Sequence, residues 1–405
     1  MDQSRRKFLA SSLALGCSAA ASPLMAPVTF ASVPSDKRLV VIILRGGMDG
    51  LNVVSPVADP LFAGYRPSML GQRHLNLDGY FALHPQLADL MPLWNSGDLG
   101  FVNAVSTPYR NKRSHFDGQD ILEAGGISAD SDVRESGWIN RMLELMPGAR
   151  RDLAFSVGRE NMLLLRGNHK VSSWSPDGRI DLSPQAQLLL DVIYSKDPLF
   201  AGAGGDALTL ANQLNLAPDP AMTKEVDMAG IIQNMAESKK AQKADGLAAF
   251  AANRLKADTR IAAFSIGGWD THFKQSKNIN KALGQLRTAI LTLKSELGAV
   301  WQKTAVVCMT EFGRTVRENG SGGTDHGTGG LMVLAGGAVR GGRVYGDWPG
   351  LAAHNLFAER DLMPTNDVRK YAAWMVRDLY GLGQSGLETA IFPGLDMGEN
   401  PGIIL

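Results

Sequence analysis

Cysteine is nearly absent. The 405 residues hold two, Cys17 and Cys308. Cys17 falls within an N-terminal apolar segment, and the Leu15-Gly16 before it is a poor match to a lipobox. With that segment removed, Cys308 stands alone, so no intramolecular disulfide can form even in an oxidising compartment. Cys308 sits inside an apolar run and reads as a small core residue rather than a nucleophile. Excess charge is missing too: 41 Lys and Arg face 40 Asp and Glu, for a net charge of +1. That balance gives no electrostatic footprint for nucleic acid or an anionic membrane surface. The sequence has no internal repeat and no low-complexity segment. The N-terminal apolar segment, Leu9 to about Ala21, falls short of the roughly 20 residues that a spanning helix needs. No stable membrane span is therefore expected once that segment is gone.

What is present begins with a leader. Ser4-Arg5-Arg6-Lys7-Phe8-Leu9 has the form of a twin-arginine export signal. Small residues follow the apolar stretch. Cleavage is expected after Ala31, with Ala21 or its surroundings as the alternative. Residues 1–31 thus read as a signal peptide and 32–405 as the mature chain. An ordinary N-terminal anchor helix is the simpler alternative. The signal predicts a bacterial periplasmic protein that folds before it crosses. Length suits two or three domains, or one large α/β domain with insertions.

The chain is organised around Thr304 to Gly330, TAVVCMTEFGRTVRENGSGGTDHGTGG. Ala305 to Met309 is a short apolar run that reads as a strand buried on both faces. Thr310, Glu311 and Arg314 follow, then a Gly-rich loop carrying Asp325-His326. The same pattern of strand, glycines and acid occurs twice more. Arg38 to Leu44 runs into Arg45-Gly46-Gly47-Met48-Asp49, and Ile261 to Ile266 runs into Gly267-Gly268-Trp269-Asp270-Thr271-His272. Ligands of open α/β sheets bind at the carboxyl ends of strands. Asp49, Asp270, His272, Glu311, Asp325 and His326 are therefore candidate ligands for one or two divalent ions. Imidazole and carboxylate suit zinc, and manganese less well. Two adjacent ions can clamp the attacking and leaving oxygens of a phosphoryl or sulfuryl ester. Gly-rich turns with capping aspartates are the simpler alternative.

The remaining elements follow in order. Gly100 to Val105 reads as a strand. Arg113-Ser114-His115 leads into a helix through Ile121 and Leu122. A Ser114 hydroxyl at a helix N-terminus suits a nucleophile attacking phosphate or sulfate, and it equally suits a plain N-cap. Residues 127–260 read as a largely helical insertion, with helices at Trp138–Leu143, Pro184–Tyr194 and Glu225–Lys256 and a strand at Leu153–Val157. A helix at Asn278–Trp301, a strand at Leu331–Leu334, a Gly-rich hairpin at Val339–Gly346 and a helix at Asp367–Leu379 complete the chain.

The leader, LRGGMDGLNVVSP, RSHFDGQD, GGWDTH, TEFGRT, GTDHG and the closing FPGL resemble the domain-of-unknown-function 1501 family. That family is similar to the alkaline phosphatase and sulfatase superfamily. The resemblance implies an α/β fold with a central, mostly parallel sheet between helices, and metals held at strand ends by Asp and His. It implies that Asp49 matches the acid after the first strand, and that Asp270, His272 and His326 form one metal site. Glu311 departs from the pattern, because the superfamily usually carries an Asp-His pair there. Ser114 is the first choice of nucleophile, with Ser106 and Thr107 as alternatives. Arg45 or Arg314 is expected at the substrate oxyanion. No Cys motif of the formylglycine kind is present. The expected function is an exported metal-dependent hydrolase of phosphate or sulfate esters, acting on a small-molecule or polysaccharide ester. The alternative is a non-catalytic metal-binding envelope protein that keeps the fold. Substrate and oligomeric state stay open.

Overall fold

The computed structural model describes residues 35–69, 72–110, 113–128, 132–146, 148–158, 162–174 and 244–405. The leader with Cys17, the expected helix Pro184–Tyr194 and the first part of Glu225–Lys256 lie outside the described residues. In chain order the central sheet comprises β1 (Arg38–Leu44), β2 (Leu99–Ser106), β3 (Ala154–Val157), β4 (Ser172–Trp174), β5 (Ile261–Ile266), β6 (Thr304–Met309), β7 (Gly330–Ala335), β8 (Val344–Tyr345) and β9 (Asn366–Asp367). Across the sheet the order is β8-β2-β7-β6-β1-β5-β3-β4, and β9 also pairs with β2. Only β7 runs against its neighbours, β6 and β2. The other pairings are parallel.

The apolar runs make this sheet because both of its faces are covered. Among the described residues, the helices of eight or more residues are α1 (His115–Ala124), α2 (Trp138–Leu145), α3 (Ala244–Lys256), α4 (Gln275–Leu297) and α5 (Val368–Tyr380). Side chains alternate along a strand. Val40, Ile42 and Leu44 of β1 therefore enter a core with Leu255 of α3 and Leu283, Leu286 and Ile290 of α4. Leu39, Val41 and Ile43 enter the opposite core, with Met142 of α2 and Ala373 and Val376 of α5. Burying each such aliphatic side chain is worth about 1.5–3 kcal/mol. That explains why β1 carries no polar residue between Arg38 and its end.

Two segments differ from the sequence reading. Within the block expected as a helical insertion, β3 pairs with β5 and β4 pairs with β3, so part of it widens the central sheet. Residues 339–346 form no hairpin. Val339 bridges Ile404, and β8 lies parallel to β2. Glycines here let the chain cross the start of β2, with Gly341 and Gly342 donating to the Gly97 and Leu99 carbonyls. Among the described residues, no helix is long and apolar enough to cross a membrane.

The topology has one functional consequence. The carboxyl ends of β1, β2, β5 and β6 and the amino end of β7 share one edge. Every strand-end loop singled out in the sequence leaves from that edge.

Candidate metal centre

The loops at this edge touch backbone to backbone, and glycine permits it. Gly46 lies at φ 122°, and a Cβ there would sit 2.5 Å from the Asp270 nitrogen. A Cβ on Gly323 would sit 2.2 Å from the His272 carbonyl carbon. Gln275, at the start of α4, ties the loops together. Its Oε1 accepts the hydroxyls of Thr271 (2.8 Å) and Thr324 (2.6 Å), while its Nε2 donates to Asp49. A chain of short bonds thus fixes the β5 loop against the β6 loop before any ligand arrives.

The outcome is a cluster of three imidazoles around one carboxylate. Asp270 Oδ1 lies 3.0 Å from His272 Nε2, 3.3 Å from His326 Nε2 and 3.5 Å from His115 Nε2. His272 Nε2 and His326 Nε2 are 2.9 Å apart. Ligand atoms of His115, Asp270 and His326 all lie within 4.8 Å of one another. The Asp270 and His272 side chains are 45% and 43% exposed, so the cluster opens to solvent on that side. Beneath it, the buried Phe312 ring lies 5.0 Å from the rings of both His115 and His326.

The outer nitrogen of each imidazole settles what the inner one can do. His115 Nδ1 faces the Glu311 carboxylate at 2.7 Å. His272 Nδ1 faces Asp325 at 3.2 Å, and His326 Nδ1 faces the Arg113 carbonyl at 2.9 Å. Carboxylates and carbonyls only accept, so each neutral ring carries its proton on Nδ1. All three Nε2 atoms then present bare lone pairs, and so does Asp270. His115 Nε2 is buried without a hydrogen bond. Acceptors converging on one point call for a cation. A tetrahedral zinc with bonds of about 2.0–2.1 Å would have ligand-to-ligand edges of about 3.3 Å, close to the spacings from Asp270 to each ring and between His272 and His326. The donor set fits a divalent ion, and carboxylate or carbonyl partners on Nδ1 are typical of metal-bound histidines.

Local electrostatics act on each member differently. Burial would raise the Asp270 carboxyl, but the charge of Arg314 holds it below the usual range. Burial pushes His326 down, toward the neutral form. Hydrogen bonding to Glu311 raises His115. Burial would raise Glu311, yet the hydrogen bonds from His115 and Gln119 keep it ionised.

Asp270, His272 and His326 therefore come together, and His115 joins them. Sequence reasoning used His115 only as a neighbour of Ser114. It begins α1, which follows the β2 end at the same sheet edge, and that position was the available signal. The other expected ligands stand elsewhere. Asp49 is buried and paired with Arg66, whose Nη2 is 3.0 Å from Asp49 Oδ1. Glu311 and Asp325 lie behind imidazoles rather than among the inner atoms. Glu311 Oε1 also accepts from Gly46 N (2.9 Å) and Gln119 Nε2 (3.0 Å), and Asp325 Oδ1 accepts from Asn319. Both arginines expected at the substrate oxyanion face carboxylates of the protein. Arg314 is fully buried with Nη1 3.0 Å from Asp270 Oδ1. Arg45 pairs with Glu123 at 2.8 Å and donates to Gln119. Ser114 caps α1, its Oγ accepting from Asp117 N at 3.4 Å. Ser106 and Thr107 are buried, and Arg110 donates to the Ser106 hydroxyl and to the Thr107 carbonyl.

These placements carry an expectation for Glu311. Changing Glu311→Gln keeps the shape but removes the charge behind His115. Metal affinity should fall about 10–100-fold, the usual cost of losing such an outer partner. Competition against a chelator of known strength measures this, and an unchanged affinity would separate Glu311 from the metal.

Structural similarity reaches several solved proteins at low scores. The C-terminal periplasmic domain of EcEptC from Escherichia coli is 11% identical over 91% of this chain and 89% of that chain, with a TM-score of 0.37. Alkaline phosphatase from the Antarctic bacterium TAB5 is 11% identical over 76% and 94%, at 0.32. Ps i-CgsB in complex with k-i-k-neocarrahexaose is 12% identical over 90% and 77%, at 0.40. Likenesses this remote bear on neither substrate nor reaction. A comparison with curated proteins gives no match. The family described as protein of unknown function, DUF1501, matches residues 59–386, which is most of the chain, and the chain belongs to that family.

Proposed function

We propose that the protein is a metal-dependent hydrolase of phosphate or sulfate esters, exported to the periplasm by the twin-arginine route. The observation that carries the reading is the placing of the His115, His272 and His326 Nε2 atoms within 3.5 Å of Asp270 Oδ1. Those four residues would hold one divalent ion, zinc before manganese. The ion would supply Lewis acidity to an ester oxygen. Glu311, Asp325 and the Arg113 carbonyl hold the three rings in the tautomer that leaves Nε2 free. Arg314 keeps Asp270 ionised and aimed at the cluster. Asp49 and Glu311 are engaged elsewhere, so the reading uses one ion rather than two.

Ser114 remains the nucleophile of this proposal. It directly precedes His115, and its capping bond is long enough for a reacting ester to displace. Ser114→Ala should lower turnover at least about 1000-fold, while losing the cap costs only about 0.5–2 kcal/mol of stability. Steady-state kinetics and thermal melts separate the two effects, and full turnover in the variant removes Ser114 from the chemistry. A screen against aryl phosphates, phosphodiesters and aryl sulfates, with zinc and manganese, tests the activity itself. No turnover in a metal-loaded protein would favour the second reading, a non-catalytic metal-binding envelope protein. The capping role already available to Ser114 is the observation on that side. Export has its own test. With Arg5 and Arg6 both changed to Lys, precursor should stay in the cytoplasm, and normal periplasmic yield would contradict the twin-arginine route.

A further inference from the structure

We propose that Asn319 is a positioning residue of the metal centre, which aims Asp325 and, through Asp325, the His272 ring. The role rests on the metal reading above and extends the centre to a residue that touches none of its inner atoms.

Asp325 needs help to hold its aim. Its side chain is 51% exposed, and its Oδ1 faces His272 Nδ1 at 3.2 Å. An exposed carboxylate keeps its rotamer freedom unless a partner fixes it. Asn319 is such a partner. Its Nδ2 donates to that same Oδ1 at 3.0 Å and to the His272 carbonyl at 2.9 Å. One amide group thus reaches the main chain of His272 and the acid behind its ring.

The surroundings of Asn319 call for an amide. Its Oδ1 accepts from the backbone nitrogens of Ser321 and Gly323, each at 3.0 Å. Its own backbone nitrogen donates to the Gly323 carbonyl at 2.8 Å. Bonds of this kind let an asparagine shape a turn. The oxygen end meets donors and the nitrogen end meets acceptors, which fixes the orientation of the amide. Aspartate would keep the turn, but it would set a second carboxylate against Asp325 and lone pairs against the His272 carbonyl. The turn is docked on the β5 loop, where Lys274 N donates to the Ser321 carbonyl at 3.2 Å and Gln275 N to the Gly322 carbonyl at 2.8 Å. The His272 carbonyl has a second donor in Ser321 Oγ, at 2.9 Å. Loss of the Asn319 amide therefore falls mainly on Asp325.

Three measurements make the test: zinc affinity by chelator competition, the visible spectrum of cobalt-loaded protein, and the melting of metal-free protein. Asn319→Asp should lose zinc affinity at least about tenfold, the scale for disturbing an outer partner of a metal ligand. Its cobalt spectrum should shift, because His272 no longer meets the ion in the same pose. Asn319→Ala adds no charge and should move both readings in the same direction, which keeps the test open if the Asp variant does not fold. In an Asp325→Ala background the further loss from either change should shrink below about threefold, since both residues act on one ring. Ser321→Ala alters the same turn without reaching Asp325, and it should keep wild-type affinity and spectrum. Wild-type zinc affinity and cobalt spectrum in Asn319→Asp or Asn319→Ala overturn the role, even where the melting temperature falls. An undiminished loss in the Asp325→Ala background overturns it too. A wild-type protein that takes up no zinc overturns the metal reading and this role together.

Discussion

Replacing His326 with Ala should reduce zinc affinity by at least about 1000-fold, or about 4 kcal/mol. His326 Nε2 lies 2.9 Å from His272 Nε2 and 3.3 Å from Asp270 Oδ1, so it borders the inner point on two sides. Its removal leaves two imidazoles and one carboxylate, and the main-chain bonds of the β6 loop do not depend on its ring. Gly327 N still donates to the Gly313 carbonyl, and Gly313 N to the Thr328 carbonyl. The variant should therefore fold and elute as wild type does while holding little metal after dialysis. Elemental analysis by mass spectrometry reads the result. Wild-type zinc content in both His326→Ala and His272→Ala would dissolve the proposed centre.

The second large effect concerns Asp49 and falls on stability rather than on metal. Arg66 and Asp49 are both buried, with side chains 1% exposed. Arg66 also donates to the carbonyls of Thr315 (2.9 Å) and Val316 (2.7 Å), which pins the β6 loop. Asp49→Ala strands that guanidinium in the interior. Losing one member of a buried pair costs about 3–5 kcal/mol. Denaturant unfolding should show a loss of that size, and the folded fraction should still bind zinc in the wild-type ratio. A stable Asp49→Ala protein that has lost its metal would restore Asp49 as a ligand.

The two effects mark how far the sequence could be read. Apolar runs such as RLVVIIL revealed β1, β5 and β6, because a strand buried on both faces is made almost wholly of apolar residues. The loops that follow them revealed Asp270, His272 and His326, because side chains from several strands meet at the carboxyl edge of a parallel sheet. Partnership was not legible. Nothing around Asp49 announces Arg66, which lies in an irregular stretch 17 residues on, or Gln275 at the far end of another loop. A lone acid after a strand looks the same whether it meets a cation of the protein or one from solution. The pairing of Glu311 with His115 was hidden for the same reason, since the two are 196 residues apart and His115 belongs to α1. Residues 339–346 show the limit for main-chain form. Their glycines suggest a tight turn but serve a close crossing over the Gly97 and Leu99 carbonyls.

The most direct measurement is an anomalous difference map at the zinc edge, from crystals of protein loaded with zinc. The account predicts one strong peak at about 2.0–2.2 Å from Asp270 and from the Nε2 atoms of His115, His272 and His326, with no peak against Asp49. A map with no density at that point, or with its peak bound to Asp49 instead, would contradict it.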